Sequence, residues 1–232
     1  MPTFVLIHSP LVGPYTWQPV AAVLAARGHT VVVPSLVNGA LPFWAGHTRA
    51  IAEAFDSQAR GSVPVLVGHS GAGPLLPAAR QAIAGEVAGY IFVDAPMPRD
   101  GRSRLDLFAT RAEADRLRAA ASGGVLPPWG ASFDEDTWRG LIPADRARAR
   151  FRAELRPTPL LVYEEPLTVF TGWPDAPCGY LQLSSAYAAA ANEARNLGWD
   201  TRTLPGHHLQ MIAEPERVAG VIAEISSGFP AH

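Results

Sequence analysis

A serine lies in a turn pattern between an apolar run and a helix-like segment. The run ends at Val67, and Gly68-His69-Ser70-Gly71-Ala72 follows it. A serine on a strained strand-to-helix turn needs small residues two positions before and after it, because larger side chains would collide. Such a turn exposes Ser70 Oγ as a nucleophile and brings the Gly71 N–H to a developing oxyanion. The string is common in a chain with 21 glycines, so its place between a strand and a helix carries the prediction.

Two adjacent histidines are candidates for the base that this serine would need. A serine hydroxyl becomes a good nucleophile only when a base accepts its proton and an acid orients that base. His207 and His208 follow the last predicted strand and precede the final helix. That loop lies at the same sheet edge as the Ser70 turn, since both follow the carboxyl ends of parallel strands. Position favours His208, with His207 as the alternative.

Asp94 is the best candidate for the orienting acid. It ends a predicted strand after four apolar residues, and a half-buried carboxylate there needs a partner such as His208. The order serine, acid, histidine along the chain also fits. The alternative is that Asp94 only braces the segment that follows it. Weaker candidates lie in an irregular stretch further on: Glu164, Glu165 and Asp175.

The other histidines are predicted to have structural roles. His8 ends the first predicted strand, and we expect it to bond the backbone of the following loop. His69 lies inside the turn and is expected to point away from Ser70 and to pack. The rest are predicted to be surface or turn residues: His29, His47 and His232.

Short apolar runs alternate with alanine-rich helical patterns along most of the chain. The predicted strands are 3–8, 30–34, 63–68, 88–94, 178–183 and 199–204. The predicted helices are 17–27, 47–59, 72–84, 185–197 and 215–226. Nearly continuous apolar strands separated by helices predict an α/β fold with a mostly parallel, doubly wound sheet.

The alternation is interrupted once, between residues 97 and 159. This arginine-rich stretch shows short amphipathic helices and no convincing strand. We predict a helical cap inserted after Asp94, with residues 1–96 and 160–232 forming the core. Trp129 and Trp138 are predicted to line a substrate pocket in this cap, or else to pack it onto the core.

Composition narrows the classes of function. The chain has 232 residues, 48% of them hydrophobic, and a formal charge of −2, which fits one globular domain without a case for nucleic acid or an anionic membrane. It contains no lysine for Schiff-base chemistry, and its single cysteine, Cys178, cannot form an internal disulfide. We expect no cofactor or metal and, without a targeting pattern, a cytoplasmic location. The sequence leaves a homo-oligomer open.

Three strings carry a family resemblance: His8 to Trp17, the turn from Gly68 to Gly73, and His208 to Pro215. They resemble the compact α/β-hydrolases of the plant methylesterase and hydroxynitrile-lyase branch, over residues 3–95 and 178–220. The resemblance implies the α/β-hydrolase fold, with Ser70 as nucleophile and His208, not His207, as base.

The acid of this chain departs from the family pattern. Relatives usually take their acid where this chain has Ser184 and Ser185. Some haloalkane dehalogenases place the acid one strand earlier, and that placement matches Asp94. The resemblance therefore supports Asp94 as the acid.

The first loop departs from the family pattern at Ser9 and Pro10. Relatives read His-Gly-x, and the N–H of x is their second oxyanion donor, whereas Pro10 has no N–H. The Leu11 N–H or the Ser9 hydroxyl is a predicted substitute. Hydroxynitrile lyases resemble this chain in having a hydroxyl residue at the position of Ser9. They also rely on a lysine, which disfavours cyanohydrin cleavage here.

These observations predict a serine hydrolase that cleaves an ester, thioester or lactone of a small to medium apolar molecule. The alternative, motivated by Pro10, is a cofactor-free lyase, cyclase or isomerase that uses Ser70 and His208 for proton transfer. A binding protein without catalysis is disfavoured because Ser70, Asp94 and His208 occur together.

Overall fold

The computed structural model describes residues 1–230, and a six-stranded sheet forms their centre. The strands are β1 Thr3–Ile7, β2 Thr30–Val32, β3 Pro64–His69, β4 Gly89–Val93, β5 Cys178–Gln182 and β6 Asp200–Thr203. They lie in the order β6-β5-β4-β3-β1-β2, and every neighbouring pair is parallel. The predicted doubly wound α/β architecture is confirmed.

The register of the sheet brings three strand ends to one level. Ile7 of β1 pairs with Gly68 of β3, and His69 of β3 pairs with Val93 of β4. The chain therefore leaves β1, β3 and β4 at a common edge. The sheet order reverses between β1 and β3, and the crevice at such a reversal is where open α/β sheets bind ligands.

Helices cover both faces of the sheet. The helices are α1 Gln18–Ala26, α2 Phe43–Ala59, α3 Leu76–Ala82, α4 Arg111–Ala120, α5 Glu135–Leu141, α6 Asp145–Ala153, α7 Leu161–Glu164, α8 Ala188–Asn196, α9 Gln210–Ala213 and α10 Pro215–Ser227. Alternate residues of β1 enter two separate cores, as strand geometry requires. Val5 and Ile7 pack with α2, α3 and α8, whereas Phe4 and Leu6 pack with α1 and α10.

Helices α4, α5 and α6 lie between β4 and β5 in the chain, in the stretch where short helices were predicted. Short antiparallel pairs also occur there, contrary to the expectation of no strand: Arg102–Ser103 pairs with Pro166–Leu167, and Val125–Leu126 pairs with Thr158–Pro159. The division into a cap at 97–159 and a surrounding core stays a prediction. The pairing of Arg102–Ser103 with Pro166–Leu167 joins this region to residues beyond 159.

Within residues 1–230, no helix combines the length and the apolar character that crossing a bilayer requires.

Candidate active site

Ser70 occupies the sharp turn that the sequence predicts. Strand β3 ends at His69, and a 3₁₀ helix, Ser70–Leu75, leads into α3. The backbone φ of Ser70 is 55°, in the left-handed region that non-glycine residues seldom adopt. A Cβ on Gly68 would lie 3.1 Å from the Ala72 carbonyl oxygen, closer than most Cβ contacts, so the turn favours glycine there.

Asp94 follows β4 and is fully buried, also with a positive φ, of 44°. Its Oδ1 accepts the backbone N–H groups of Leu183 and Ser184 at 2.8 and 2.9 Å. Its Oδ2 accepts the Ser184 hydroxyl at 2.6 Å and lies 2.9 Å from His208 Nδ1. These hydrogen bonds compensate the burial of the carboxylate and fix its orientation.

The environment of His208 leaves its second ring nitrogen, Nε2, for chemistry. Nδ1 donates to Asp94, which sets the tautomer with an unprotonated Nε2. The imidazole stacks on the Tyr187 ring, with centroids 5.1 Å apart and an interplanar angle of 8°. The His69 ring centroid lies 4.4 Å from that of His208, and His69 Nε2 donates to the His208 carbonyl oxygen at 3.0 Å. His208 is therefore held through both its ring and its backbone.

The structure brings His208, and not His207, to the carboxylate. His207 Nδ1 accepts the Leu209 N–H at 3.2 Å, and the His207 N–H donates to the Gln210 side chain. Its ring therefore bonds within its own loop. The wall of the cavity beside Ser70 includes His208.

The weaker acid candidates have other partners. Asp175 accepts the Tyr90 hydroxyl at 2.5 Å and Arg80 Nε at 2.8 Å. Glu164 pairs with Arg118, and Glu165 accepts the first backbone N–H groups of α2. Of the four carboxylates considered as the orienting acid, Asp94 is the one that is hydrogen-bonded to His208.

His8 holds the loop that follows β1. Its Nδ1 donates to the Ser9 carbonyl oxygen at 2.8 Å, and its Nε2 accepts the Leu36 N–H at 3.2 Å. The ring therefore ties this loop to the chain after β2. Burial lowers the pKa of His8 from 6.5 to about 4, so the ring is neutral at neutral pH.

The expectation that His47 lies at the surface is wrong. His47 is fully buried on α2, and its Nε2 bonds Asn38 Oδ1 at 2.8 Å. It belongs to the helix face that packs on the core. The sequence pattern of this helix is dominated by small and polar residues, so it did not reveal that face. His29 is half-buried, and His232 lies outside the described residues.

Acid is expected to destabilise the fold through three buried histidines. Burial lowers the pKa of His8 to about 4, that of His47 to about 3 and that of His69 well below 6.5. Below pH 6.5 the unfolded chain binds protons that the folded chain does not. The free energy of unfolding therefore decreases as the pH is lowered, by up to about 1.4 kcal/mol per pH unit for each histidine. Urea denaturation between pH 6.5 and 5 measures this slope.

His47→Gln should make that slope shallower, because one of the depressed groups is removed. His29→Gln is the comparison variant, since it removes an imidazole that is only half-buried, whereas His47 is fully buried. A free energy of unfolding that stays constant from pH 6.5 to 5 would contradict the expectation.

A cavity of about 530 Å³ opens at the crevice between β1 and β3. Its wall includes the apolar side chains of Met97, Leu107, Phe108 and Leu117. Its volume lies in the range of small-molecule sites. Polar residues of the wall include Ser70, Tyr163, Tyr187 and His208, and charged residues such as Arg99 and Glu193 also line it.

The two tryptophans predicted near the substrate are placed differently. Trp129 is half-buried and lines the cavity. Trp138 is 3% exposed and packs in an aromatic cluster behind it, with ring centroids 5.8 Å from Trp129 and 6.1 Å from Phe151. The structure therefore brings Trp129 to the site and leaves Trp138 as support for it.

The loop after β1 does not present a backbone donor in the predicted way. Pro10 lacks an N–H, and the Leu11 N–H is directed at Ser9 Oγ, 3.4 Å away. Ser9 is 3% exposed, and its hydroxyl lies 3.2 Å from the Tyr163 hydroxyl. Leu11 also lines the cavity.

Sequence reasoning missed Tyr163, Tyr187 and Arg104. Tyr187 stacks on His208 and lines the cavity, and burial raises its pKa while a hydrogen bond with the Ser70 hydroxyl lowers it. Arg104 is 2% exposed and donates to the Gly71 carbonyl oxygen at 2.8 Å. The one signal available was the position of Tyr187 near the start of the predicted helix 185–197, shortly after the predicted strand end at 183.

Residues 1–230 contain no group of three or more histidine, cysteine, aspartate or glutamate side chains placed to hold a metal ion.

Comparison with known proteins gives the class of this protein. The model of the alpha/beta hydrolase family matches residues 4–221, and the chain belongs to that family. It is 25% identical to the chloroplastic methylesterase 13 of Arabidopsis thaliana over 185 residues, 72% of this chain and 41% of that protein. The chain therefore spans about two fifths of the length of this curated relative.

Solved structures share the fold over nearly the whole chain. An extracellular alpha/beta-hydrolase from a Paenibacillus species, described as homologous in structure and function to tobacco salicylic acid binding protein 2, has a TM-score of 0.76 and 22% identity, covering 97% of this chain and 99% of that one. A pyrethroid hydrolase from Sphingobium faniae has a TM-score of 0.73 and 19% identity, covering 98% of each chain. The resemblance to the methylesterase branch is confirmed.

Proposed function

We propose that this protein is a carboxylic-ester hydrolase in which Ser70 is the nucleophile, His208 the base and Asp94 the orienting acid. The observation that carries the proposal is the 2.9 Å contact between Asp94 Oδ2 and His208 Nδ1, at the wall of a cavity that also exposes Ser70. Three chain segments converge there from separate strand ends. The names of the relatives, a methylesterase and a pyrethroid hydrolase, support the same chemistry.

The geometry suits acyl transfer in two steps. His208 Nε2 takes the proton of Ser70 Oγ as that oxygen attacks the substrate carbonyl carbon, and Asp94 stabilises the imidazolium that forms. The Gly71 N–H holds the oxyanion. His208 then returns the proton to the leaving oxygen, which departs as an alcohol and leaves an acyl group on Ser70. Water, deprotonated by His208, releases the acid and restores the serine.

The cavity supports a substrate of small to medium size with an apolar acyl or alcohol part. An ester, thioester or lactone satisfies the chemistry equally, since each presents a carbonyl carbon with a leaving group. The charged residues of the wall are partly neutralised there, because Arg99 pairs with Glu193. Trp129, Phe108 and Met97 offer contact to the apolar part of the substrate.

A fluorophosphonate probe tests the nucleophile directly. It forms a covalent bond with an activated serine oxygen as fluoride leaves, so we expect one adduct per chain, and peptide mass spectrometry should locate it on Ser70. His208→Ala should slow the labelling strongly, because the base that takes up the proton of Ser70 is then missing. A panel of p-nitrophenyl esters of increasing acyl length should give turnover in parallel.

The alternative is proton-transfer chemistry without an acyl-enzyme, by a cofactor-free lyase, cyclase or isomerase. The observation that favours it is the absence of a backbone donor at Pro10, since proton transfer does not need a tetrahedral oxyanion. Failure of Ser70 to react with the probe, together with a His208-dependent reaction on a substrate that is not an ester, would replace the hydrolase by this alternative.

A further inference from the structure

We propose that the phenol of Tyr163 is the second oxyanion donor of this site, in place of the backbone N–H that Pro10 cannot supply. The inference rests on the proposed hydrolase function and adds a catalytic residue to it. Tyr163 lies on α7 and reaches the turn of Ser70 across the cavity wall. Its role follows from the space at Gly71, from the contact between the Ser9 and Tyr163 hydroxyls, and from the buried Arg104 beside it.

The missing side chain of Gly71 makes room for the phenol. A Cβ on Gly71 would lie 2.7 Å from Tyr163 Oη and 3.1 Å from Ser9 Oγ. The first distance is shorter than a carbon atom tolerates, so no other residue fits without moving the phenol. Because Gly71 also carries the first oxyanion donor, its N–H, the phenolic oxygen lies beside the position where the oxyanion forms.

The hydrogen bonds around Ser9 allow the phenol to keep its proton for the substrate. The Leu11 amide can only donate, so Ser9 Oγ is its acceptor, at 3.4 Å. Ser9 Oγ lies 3.2 Å from Tyr163 Oη, and either oxygen can donate in this contact. In the proposed arrangement Ser9 donates to the phenol and the phenol donates to the substrate oxygen, so that cooperative polarisation strengthens the last donor.

Ser9 is not placed to serve as the terminal donor itself. Both residues are buried, but the residues that line the cavity include Tyr163, together with Ser70 and Gly71, and do not include Ser9. Ser9 is therefore a positioning residue, which acts on the substrate through the phenol.

Arg104 fixes the phenol against the turn. This buried guanidinium donates to the Gly71 carbonyl oxygen at 2.8 Å and to the Val162 carbonyl oxygen at 2.7 Å, so it joins the serine turn to α7. Burial raises the pKa of Tyr163, while the Ser9 hydrogen bond and the charge of Arg104 lower it. The phenol therefore stays protonated as a donor at neutral pH, beside a guanidinium whose charge is balanced by Glu165 at 3.7 Å.

Tyr163→Phe is the primary test, measured on a p-nitrophenyl ester. Loss of one oxyanion donor lowers kcat by about 10²-fold in a well-studied protease, and we expect a loss of that size with KM little changed. Tyr90→Phe is the matched control. It also removes a buried phenol, but one bonded to Asp175 at the opposite end of β4, so kcat should stay at the wild-type value.

An aryl boronic acid separates catalysis from structure, since it forms a tetrahedral adduct with a nucleophilic serine. Tyr163→Phe should raise the inhibition constant of the boronic acid in proportion to the loss in kcat/KM. Binding of the product acid, which forms no tetrahedral centre, should change little. If Tyr163 had a purely structural role, Tyr163→Phe would lower the affinity for the boronic acid and for the product acid equally, or would change neither.

Gly71→Ala gives a second test in the form of a double-mutant cycle. The added methyl group must displace the phenol in the wild-type background, so kcat should fall strongly. In the Tyr163→Phe background the nearest neighbours lie at 3.1 and 3.4 Å, and the same change should cost much less. Additive effects on kcat would overturn the proposal.

The proposal for Tyr163 and the proposed function can fail separately. Wild-type kcat and wild-type boronate affinity in Tyr163→Phe, with Ser70 still labelled by the fluorophosphonate, would overturn the role of Tyr163 and leave the hydrolase in place. Absence of labelling at Ser70 in the wild-type protein would remove the hydrolase itself.

Discussion

Ser70→Ala is expected to abolish ester turnover, with kcat lower by about 10⁶-fold, the loss found when the nucleophile of a comparable triad is removed. The reason is that His208 and Asp94 act only through the serine oxygen. Without Oγ, neither the proton transfer nor the acyl-enzyme can occur. Steady-state kinetics on the best p-nitrophenyl ester, supported by single-turnover measurements, provide the test.

Two controls show that the loss is chemical. Ser185→Ala removes an exposed hydroxyl near the same sheet edge and should retain wild-type kcat. The Ser70→Ala protein should still bind the product acid with wild-type affinity, because the cavity wall is otherwise unchanged. Turnover by Ser70→Ala at the wild-type rate would show that another group is the nucleophile.

The sequence predicted the sheet edge well because local patterns determine it. Valine-rich runs, glycine at the turn and a strand-ending aspartate are each readable without tertiary information, and parallel strands bring their carboxyl ends together. Ser70, Asp94 and His208 were therefore predicted as neighbours from their positions in the chain. In the structure Asp94 Oδ2 lies 2.9 Å from His208 Nδ1.

Tyr163 could not be found in this way. It lies on a helix of only four residues in a stretch without periodicity, and its position depends on Arg104, whose bond to Val162 spans 58 positions of the chain. Trp138 shows the same limit, because an aromatic residue that lines a cavity and one packed behind it have the same sequence pattern. Long-range contacts decide both cases.

Asp94→Asn is expected to lower kcat by about 10⁴-fold, the loss found when the aspartate of a serine protease triad is changed in this way. The orientation of the new amide is fixed by its neighbours. The Leu183 and Ser184 N–H groups can only donate, so they retain the amide oxygen where Oδ1 now lies. The NH₂ group must then face His208. It donates to Nδ1, moves the ring proton to Nε2, and leaves no lone pair to accept the proton of Ser70.

The comparison variants separate this tautomer effect from a loss of packing. Asp175→Asn alters a carboxylate bonded to Tyr90 and Arg80, away from the cavity, and should lower thermal stability without lowering kcat. Ser184→Ala removes one hydrogen bond to Asp94 but keeps the charge, so its kcat should lie between that of Asp94→Asn and the wild type. If Asp94→Asn instead kept wild-type kcat, the contact with His208 would serve only to position the loop, and the acid of this site would have to be sought elsewhere. The graded series therefore separates the effect of the Asp94 charge from the effect of the proton position on His208. A single inactivating change at Asp94 would not separate these two effects.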